Sequence, residues 1–128
     1  AKKRLLLLPK PWRAKMSLVN EQWEFLKDVA KLIQYCDANG WVVTGGELGR
    51  TEEQQRIYVK EGKSKTMASN HLRRLAIDLN FFWQGELMYD LISLDGIGNY
   101  WESLNPQNQW GGHWKTFKDG PHFERNVR

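Results

Sequence analysis

The 128-residue chain has little of the material that builds sulfur-based frameworks. It contains one cysteine, Cys36, which excludes an internal disulfide framework and a cysteine-rich zinc site, because both need several sulfur atoms. We predict that Cys36 is a core residue, not a nucleophile, since no activating base is near it in sequence. A metal bound here must be held by carboxylates and by the three histidines, His71, His113 and His122.

Long apolar runs are also absent. The leucine run at residues 5–8 is far shorter than the ~20 residues of a membrane span and the ~7 of a signal-peptide core. We therefore expect no membrane span and no signal peptide. A hydrophobic fraction of 41% is nevertheless enough for a core, and the length fits one domain.

Positive charge is concentrated at the N-terminus. Residues 1–15 carry six basic and no acidic side chains, whereas the rest carries thirteen basic and fifteen acidic ones. The net charge of +4 therefore does not describe a basic face, which disfavours nucleic-acid binding. We predict a basic arm over residues 1–17 and a domain over residues 18–128. The arm is either an ordinary extension or a segment attracted to anionic envelope polymers or lipid. Pro9 and Pro11 argue against a helix through the arm.

Hydrophobic periodicity predicts an α+β domain. The apolar stripe of the first helix, at residues 18–38, comprises Trp23, Leu26, Ala30, Ile33 and Cys36, widened by Val29 and Leu32. Further predicted elements are a short buried strand at 41–44, a helix from Thr51 to about Gly62, a strand at 75–81, a helix around 97–104 and a strand at 122–124. The remaining segments, including 62–73 and 110–112, are predicted as loops.

Two segments, residues 69–78 and 110–124, contain the side chains suited to chemistry. Asp78 lies on the polar face of its predicted strand, and His122 shares a strand face with Glu124. If the two strands are neighbours, Asp78 and His122 converge and His71 can complete a three-ligand set. Two imidazoles, one carboxylate and an open water position make a catalytic zinc site. From spacing alone, the alternative that these are ordinary core or surface histidines stays open.

The order of these motifs resembles a known family. The pattern is S-x-H, six residues, then D, followed near the C-terminus by W-G-G-x-W and D-x-x-H-F-E. It is similar to the zinc D-alanyl-D-alanine carboxypeptidases, and most of all to their phage and bacterial L-alanyl-D-glutamate endopeptidase members. The resemblance covers roughly residues 18–125, including Gly49-Arg50-Thr51 and Ser64-Lys65-Thr66. It implies a small antiparallel sheet with helices packed around it and a zinc site on the sheet face.

The resemblance also implies roles for individual residues. His71, Asp78 and His122 match the ligands of one zinc ion, and Asp119 matches the residue that acts as general base and then acid. Arg50 matches an arginine that contacts the substrate carbonyl or a substrate carboxylate. Ser69, Thr66 and Gln54 match substrate-side or ligand-supporting positions. The residues themselves indicate further roles. Glu124 is the rival base or an acceptor for an imidazole N–H, His113 is a surface or substrate-rim residue, and Trp110, Trp114 and Phe117 are core residues or a substrate platform.

One position departs from the family pattern. The family has glycine three residues after the first histidine of this motif, where this chain has Arg74. If this position needs a positive φ, arginine strains it by about 1 kcal/mol or more. We expect instead a tolerant backbone, with Arg74 directed toward solvent or substrate.

The activity implied by the resemblance is zinc-dependent hydrolysis of the L-alanyl–D-glutamate bond of peptidoglycan, as in a phage or prophage lysin. Such a protein would be made in the host cytoplasm, act at the cell wall and work as a monomer without nucleic acid. Alternatives are a D-alanyl-D-alanine carboxypeptidase or dipeptidase with the same metal, or a non-catalytic wall-binding module that keeps zinc for folding.

Overall fold

The described part of the chain forms three α-helices and one antiparallel sheet, so the α+β prediction is confirmed. The computed structural model describes residues 10–64 and 69–127, with side chains from residue 17 onward. The helices are α1 (Lys10–Ala38), α2 (Glu52–Lys60) and α3 (Leu91–Leu104). The strands are β1 (Val42–Gly45), β2 (Ala76–Trp83), β3 (Glu86–Met88), β4 (Asn108–Trp110) and β5 (His122–Arg125), and two 3₁₀ helices lie at Asn70–Arg73 and Gly111–His113.

Strand β2 is the centre of the sheet. The order is β1-β2-β5-β4, and β3 pairs with β2 beyond the end of β5. β2 and β5 are antiparallel with Asp78 opposite His122 and Ala76 opposite Glu124. The prediction that these two strands are neighbours in the sheet is therefore confirmed.

Helix α1 packs one apolar face against the sheet and α3. Its buried residues Phe25, Val29, Leu32 and Cys36 follow the spacing of one helix face. Trp23, by contrast, is 57% exposed. The predicted stripe is thus partly wrong: it follows a second apolar row, Trp23, Leu26 and Ile33, which remains exposed.

The N-terminal boundary of α1 also differs from expectation. The helix begins at Lys10 and crosses residue 17, so a helix does run through the second half of the predicted arm. Pro11 is compatible with this because it lies in the first turn, where the missing N–H would have had no helical partner. Within the described residues, no helix is long and apolar enough to cross a membrane.

Strand β1 was expected to be buried, and this is wrong. Val42 is 61% exposed because β1 is an edge strand, which pairs with β2 alone among the described strands. The start of α2 is as predicted, with Thr51 Oγ1 accepting a hydrogen bond from the backbone N–H of Gln54 at 3.0 Å.

Helix α3 begins six residues earlier than predicted, with Asp90 as its N-cap. Two glycines in it obscure the apolar period, and Gly98 has a packing reason. A β-carbon there would lie 2.1 Å from the ring of Trp110. Residues 108–113, part of which was predicted as loop, form β4 and the second 3₁₀ helix, and Trp110 is a buried core residue.

The segment after the first 3₁₀ helix turns through Arg74. Its φ of 55° and ψ of 39° lie in the left-handed region, and its N–H donates to the carbonyls of Asn70 and His71. The expectation of a tolerant backbone is wrong here, because this conformation is one that glycine adopts freely and other L-residues adopt at a cost.

We predict that Arg74→Gly stabilises the fold by about 0.5–1 kcal/mol, because it removes the left-handed strain. Arg73→Gly is the matched control: Arg73 has no positive φ, so glycine there should destabilise by at least about 0.5 kcal/mol. Urea unfolding of both variants measures the difference. Equal destabilisation by both would contradict the account.

Candidate metal centre

Three polar side chains from two strands and a 3₁₀ helix meet on the face of the sheet. The β2–β5 register places Asp78 directly opposite His122. Ser69 caps the first 3₁₀ helix by accepting from the N–H of His71 at 3.2 Å, which positions His71 above β2. One ligand atom from each of His71, Asp78 and His122 lies within 4.8 Å of the others. The three predicted ligands are thus brought together.

Each histidine ring is oriented by a hydrogen bond on one nitrogen. Nδ1 of His71 lies 3.0 Å from the carbonyl oxygen of Leu48, and its Nε2 lies 3.3 Å from Oδ1 of Asp78. Nε2 of His122 lies 2.7 Å from Oε1 of Glu124, and its Nδ1 lies 3.5 Å from the same Asp78 oxygen. Metal-binding histidines are typically held in this way, by an acceptor on the nitrogen that does not bind the metal.

The donor set fits a divalent cation. Oδ1 of Asp78 is buried and has no partner with hydrogen-bond geometry, although both rings face it. A buried oxygen left in this way costs free energy unless a cation or donor meets it. Two imidazole nitrogens and one carboxylate oxygen are the ligands of catalytic zinc sites, in which a further position stays open to water.

The charges within the triad are strongly coupled. Burial alone would raise the pKa of Asp78, but the rings of His122 and His71 hold it well below its usual range. Burial alone would lower the pKa of His122, but Asp78 and Glu124 raise it to about 9. In the metal-free protein His122 is therefore protonated at neutral pH, and a metal ion must displace that proton to bind Nδ1.

Asp119 lies beside the triad and is partly buried. Its N–H donates to the carbonyl of Gly111 at 3.0 Å, and its own carbonyl accepts from the N–H of His122 at 3.2 Å. Burial raises the pKa of the Asp119 carboxyl above its usual range, although nearby His122 opposes this. Gly111 allows the close approach, because a β-carbon there would lie 2.2 Å from the carbonyl oxygen of Asp119.

Arg50 is held in a polar network at the edge of the site. Its guanidinium donates to Glu47, to Oε1 of Gln55 at 2.6 Å and to Oγ of Ser69 at 3.3 Å. The ring of Tyr58 lies 4.6 Å from the guanidinium carbon. The contacts of Glu47, Gln55 and Tyr58 with Arg50 were not predicted from the sequence. The one sequence signal for them is that Gln55 and Tyr58 are spaced one helical turn apart, which places them on the same side of α2.

The other predicted substrate-side positions have different outcomes. Ser69 contacts both Arg50 and His71. Gln54 lies in the first turn of α2, where its backbone N–H completes the cap, and its neighbour Gln55 is the residue that contacts Arg50. Thr66 lies outside the described residues.

The aromatic residues near the C-terminus separate into three environments. Trp110 is buried in the core, the first of the two alternatives given for it above. The ring of Trp114 lies 4.8 Å from that of His122, and Phe117 is exposed.

His113 is not part of the triad. Its Nδ1 lies 2.9 Å from Glu102 and its Nε2 lies 3.1 Å from Asp95, both on α3. Among the described residues, the group that could hold a metal does not include His113, and its place at the surface or substrate rim stays a prediction.

We predict that the metal-free protein loses stability as pH rises. The pKa of His122 is about 9 when folded, against ~6.5 when unfolded, so its contribution is complete below pH 6.5 and is lost toward pH 9. Urea unfolding in chelator at pH 6.5 and 9 should show a loss on the order of 1–3 kcal/mol.

The control separates His122 from other titrating groups. His122→Gln should remove most of this loss. His113→Gln should remove a smaller part, because Asp95 and Glu102 raise the pKa of the more exposed His113 although burial alone would lower it. The same pH dependence in His122→Gln as in the wild type would contradict the assignment.

Comparison with known proteins places this geometry in a family. Residues 62–125 match the family model described as D-alanyl-D-alanine carboxypeptidase. The chain is 31% identical over 99 residues to the L-alanyl-D-glutamate peptidase of Listeria phage A118. That alignment covers 77% of this chain and 35% of the phage protein, so the chain spans about a third of its relative's length.

A solved structure shares the fold. The crystal structure of the Serratia marcescens L-Ala D-Glu endopeptidase ChiX aligns with a TM-score of 0.63 and 28% identity. The alignment covers 78% of this chain and 79% of that one. The family-model match spans His71, Asp78 and His122 and confirms the resemblance found in the sequence. The chain belongs to the D-alanyl-D-alanine carboxypeptidase family of peptidases.

Proposed function

We propose that this chain is a zinc-dependent peptidoglycan endopeptidase that hydrolyses the L-alanyl–D-glutamate bond of cell-wall stem peptides. The observation that carries the proposal is the convergence of His71, Asp78 and His122 within 4.8 Å in a chain of this family. The choice of bond is supported by the names of the phage relative and of the Serratia endopeptidase. The phage relative also supports a lysin that acts on the cell wall.

His71, Asp78 and His122 would hold the zinc ion, through the three atoms that already face one another. When bound in such a site, zinc lowers the pKa of a water molecule and polarises a carbonyl group. Glu124 fixes the ring of His122, because its carboxylate accepts from Nε2 and leaves Nδ1 directed at Asp78. Since Glu124 is buried and engaged there, we assign it this positioning role and not the role of base.

Asp119 serves as the proton carrier. Its carboxylate takes a proton from the attacking water and returns it to the amine of the leaving fragment. Its partial burial and raised pKa support this role, because a general base is most effective when its pKa is closer to the working pH.

Arg50 stabilises negative charge on the scissile carbonyl oxygen. Its guanidinium is held by Glu47, Gln55 and Ser69, so little reorganisation is needed when charge develops. Arginine suits this role because its planar fork stays charged and presents several donors.

We predict different losses for metal-ligand and base variants. His71→Ala should lose both the single equivalent of zinc and the activity. Asp119→Asn should keep zinc but lose turnover roughly a hundredfold to ten-thousandfold, because only proton transfer is removed. Zinc content by mass spectrometry and turnover on purified peptidoglycan measure both effects.

His113→Ala is the control for these variants, because it removes a histidine outside the triad. It should keep zinc and turnover near wild-type levels. Full turnover by Asp119→Asn would contradict the assigned role of Asp119.

The fragments released from peptidoglycan identify the bond. Mass analysis should show new N-terminal glutamate after digestion by the zinc-loaded wild type and none with His122→Ala. Release of free D-alanine instead would mean a carboxypeptidase. Zinc binding without any turnover would mean a wall-binding module.

A further inference from the structure

A cleft of about 710 Å³ opens beside Arg50. It lies between α1, the start of α2 and the first 3₁₀ helix, and apart from Arg50 its lining residues have no part in the catalytic roles described above. Its lining includes Leu18, Gln22, Thr51, Leu72 and the three arginines Arg50, Arg73 and Arg74.

The backbone carbonyl of His71 links the cleft to the metal centre. The carbonyl oxygen of His71 accepts hydrogen bonds from the N–H groups of both Arg50 and Arg74, each at 3.2 Å. The two arginines therefore start from neighbouring points of the backbone. The side chain of Arg74 then runs along the chain before Arg50, since a β-carbon on Gly49 would lie 3.5 Å from its Nε.

The carboxylates of the described residues do not balance the charge of this cleft. Arg50 is paired with Glu47, but among the described residues no carboxylate forms an ion pair with Arg73 or Arg74. Within the described part of the chain, the Arg73 guanidinium donates to the carbonyl of Val127, at 2.8 Å. On the exposed side of α2, by contrast, Arg56 has Glu52 as a partner at 3.6 Å.

The backbone at Arg74 is strained for a residue with a side chain. Its φ of 55° costs about 1 kcal/mol relative to glycine. Strained positions concentrate at ligand-binding sites, where the side chain they present has a use. The guanidinium of Arg74 faces a cleft next to the metal centre and has no carboxylate partner among the described residues, so it is free to bind an anion there.

We propose that Arg74, assisted by Arg73, forms a subsite for a carboxylate of the substrate peptide. The inference rests on the proposed endopeptidase function. A glutamate that continues the peptide through one carboxyl group has a second one, and cleavage of its amide bond brings it next to the metal centre. The same chemistry could come from the C-terminal carboxylate of the stem peptide, so the test includes both sources.

The test uses two pairs of synthetic stem peptides. In one pair the side carboxyl of glutamate is free or amidated, and in the other the C-terminal carboxyl is free or amidated. KM and kcat are measured for the zinc-loaded wild type, Arg74→Gly, Arg74→Lys and Arg56→Ala. Arg74→Gly suits the purpose because it relieves backbone strain while removing the charge.

For one of the pairs, Arg74→Gly should raise the KM of the free acid roughly five- to tenfold and leave the amide nearly unchanged. Its kcat should stay within about twofold of the wild type, Arg74→Lys should recover part of the loss, and added salt should weaken the preference. Arg56→Ala should behave as the wild type. The pair that responds identifies the carboxylate.

If the ratio of KM for the amide to KM for the free acid is the same in Arg74→Gly and the wild type for both pairs, the proposed subsite is wrong. If the wild type cleaves none of the peptides, the proposed function fails, and the subsite is then judged by calorimetric binding of the same peptides to wild type and Arg74→Gly. Weaker binding of a free acid to the variant supports it, and equal binding overturns it.

Discussion

The antiparallel pairing of β2 with β5 is the constraint on which the site depends. Because Asp78 is opposite His122, the carboxylate and the imidazole come from adjacent strands on one face. A shift of one residue in the register would turn His122 and Glu124 to the other face. The register is fixed by the core residues between them, since Ile77 faces Phe123 and Phe123 is fully buried against Phe81 and Trp101.

The loop before α2 also positions His71 and Arg50. The N–H of Gly46 donates to the carbonyl of Asp78, and the N–H of Asp78 donates to the carbonyl of Glu47, both at 2.8 Å. The close approach needs a glycine, because a β-carbon on Gly46 would lie 2.9 Å from the carbonyl oxygen of Asp78. The same loop supplies the carbonyl of Leu48 to His71 and the carboxylate of Glu47 to Arg50. One segment thus orients a histidine and an arginine together.

Much of this could be predicted from local pattern. Alternation in β2 placed Asp78 on the correct face, and the Thr51 cap gave the start of α2. The features that could not be predicted depend on contacts between residues far apart in the sequence. Which apolar row of α1 is buried depends on the elements that pack against it. The exposure of β1 depends on its position at the edge of the sheet. The start of α3 was obscured by Gly98, which makes room for the ring of Trp110. Glu47 and Gln55 carry no motif, and only the fold brings them to Arg50.

The central claim is that His71, Asp78 and His122 bind one zinc ion, and the X-ray absorption spectrum of the zinc-loaded chain tests it most directly. The account predicts a zinc environment of two imidazole nitrogens with oxygen ligands and no sulfur. In His122→Ala the imidazole signal should fall or zinc should be lost. A sulfur ligand, which only Cys36 or a methionine could supply, or a third imidazole from His113, would contradict the account.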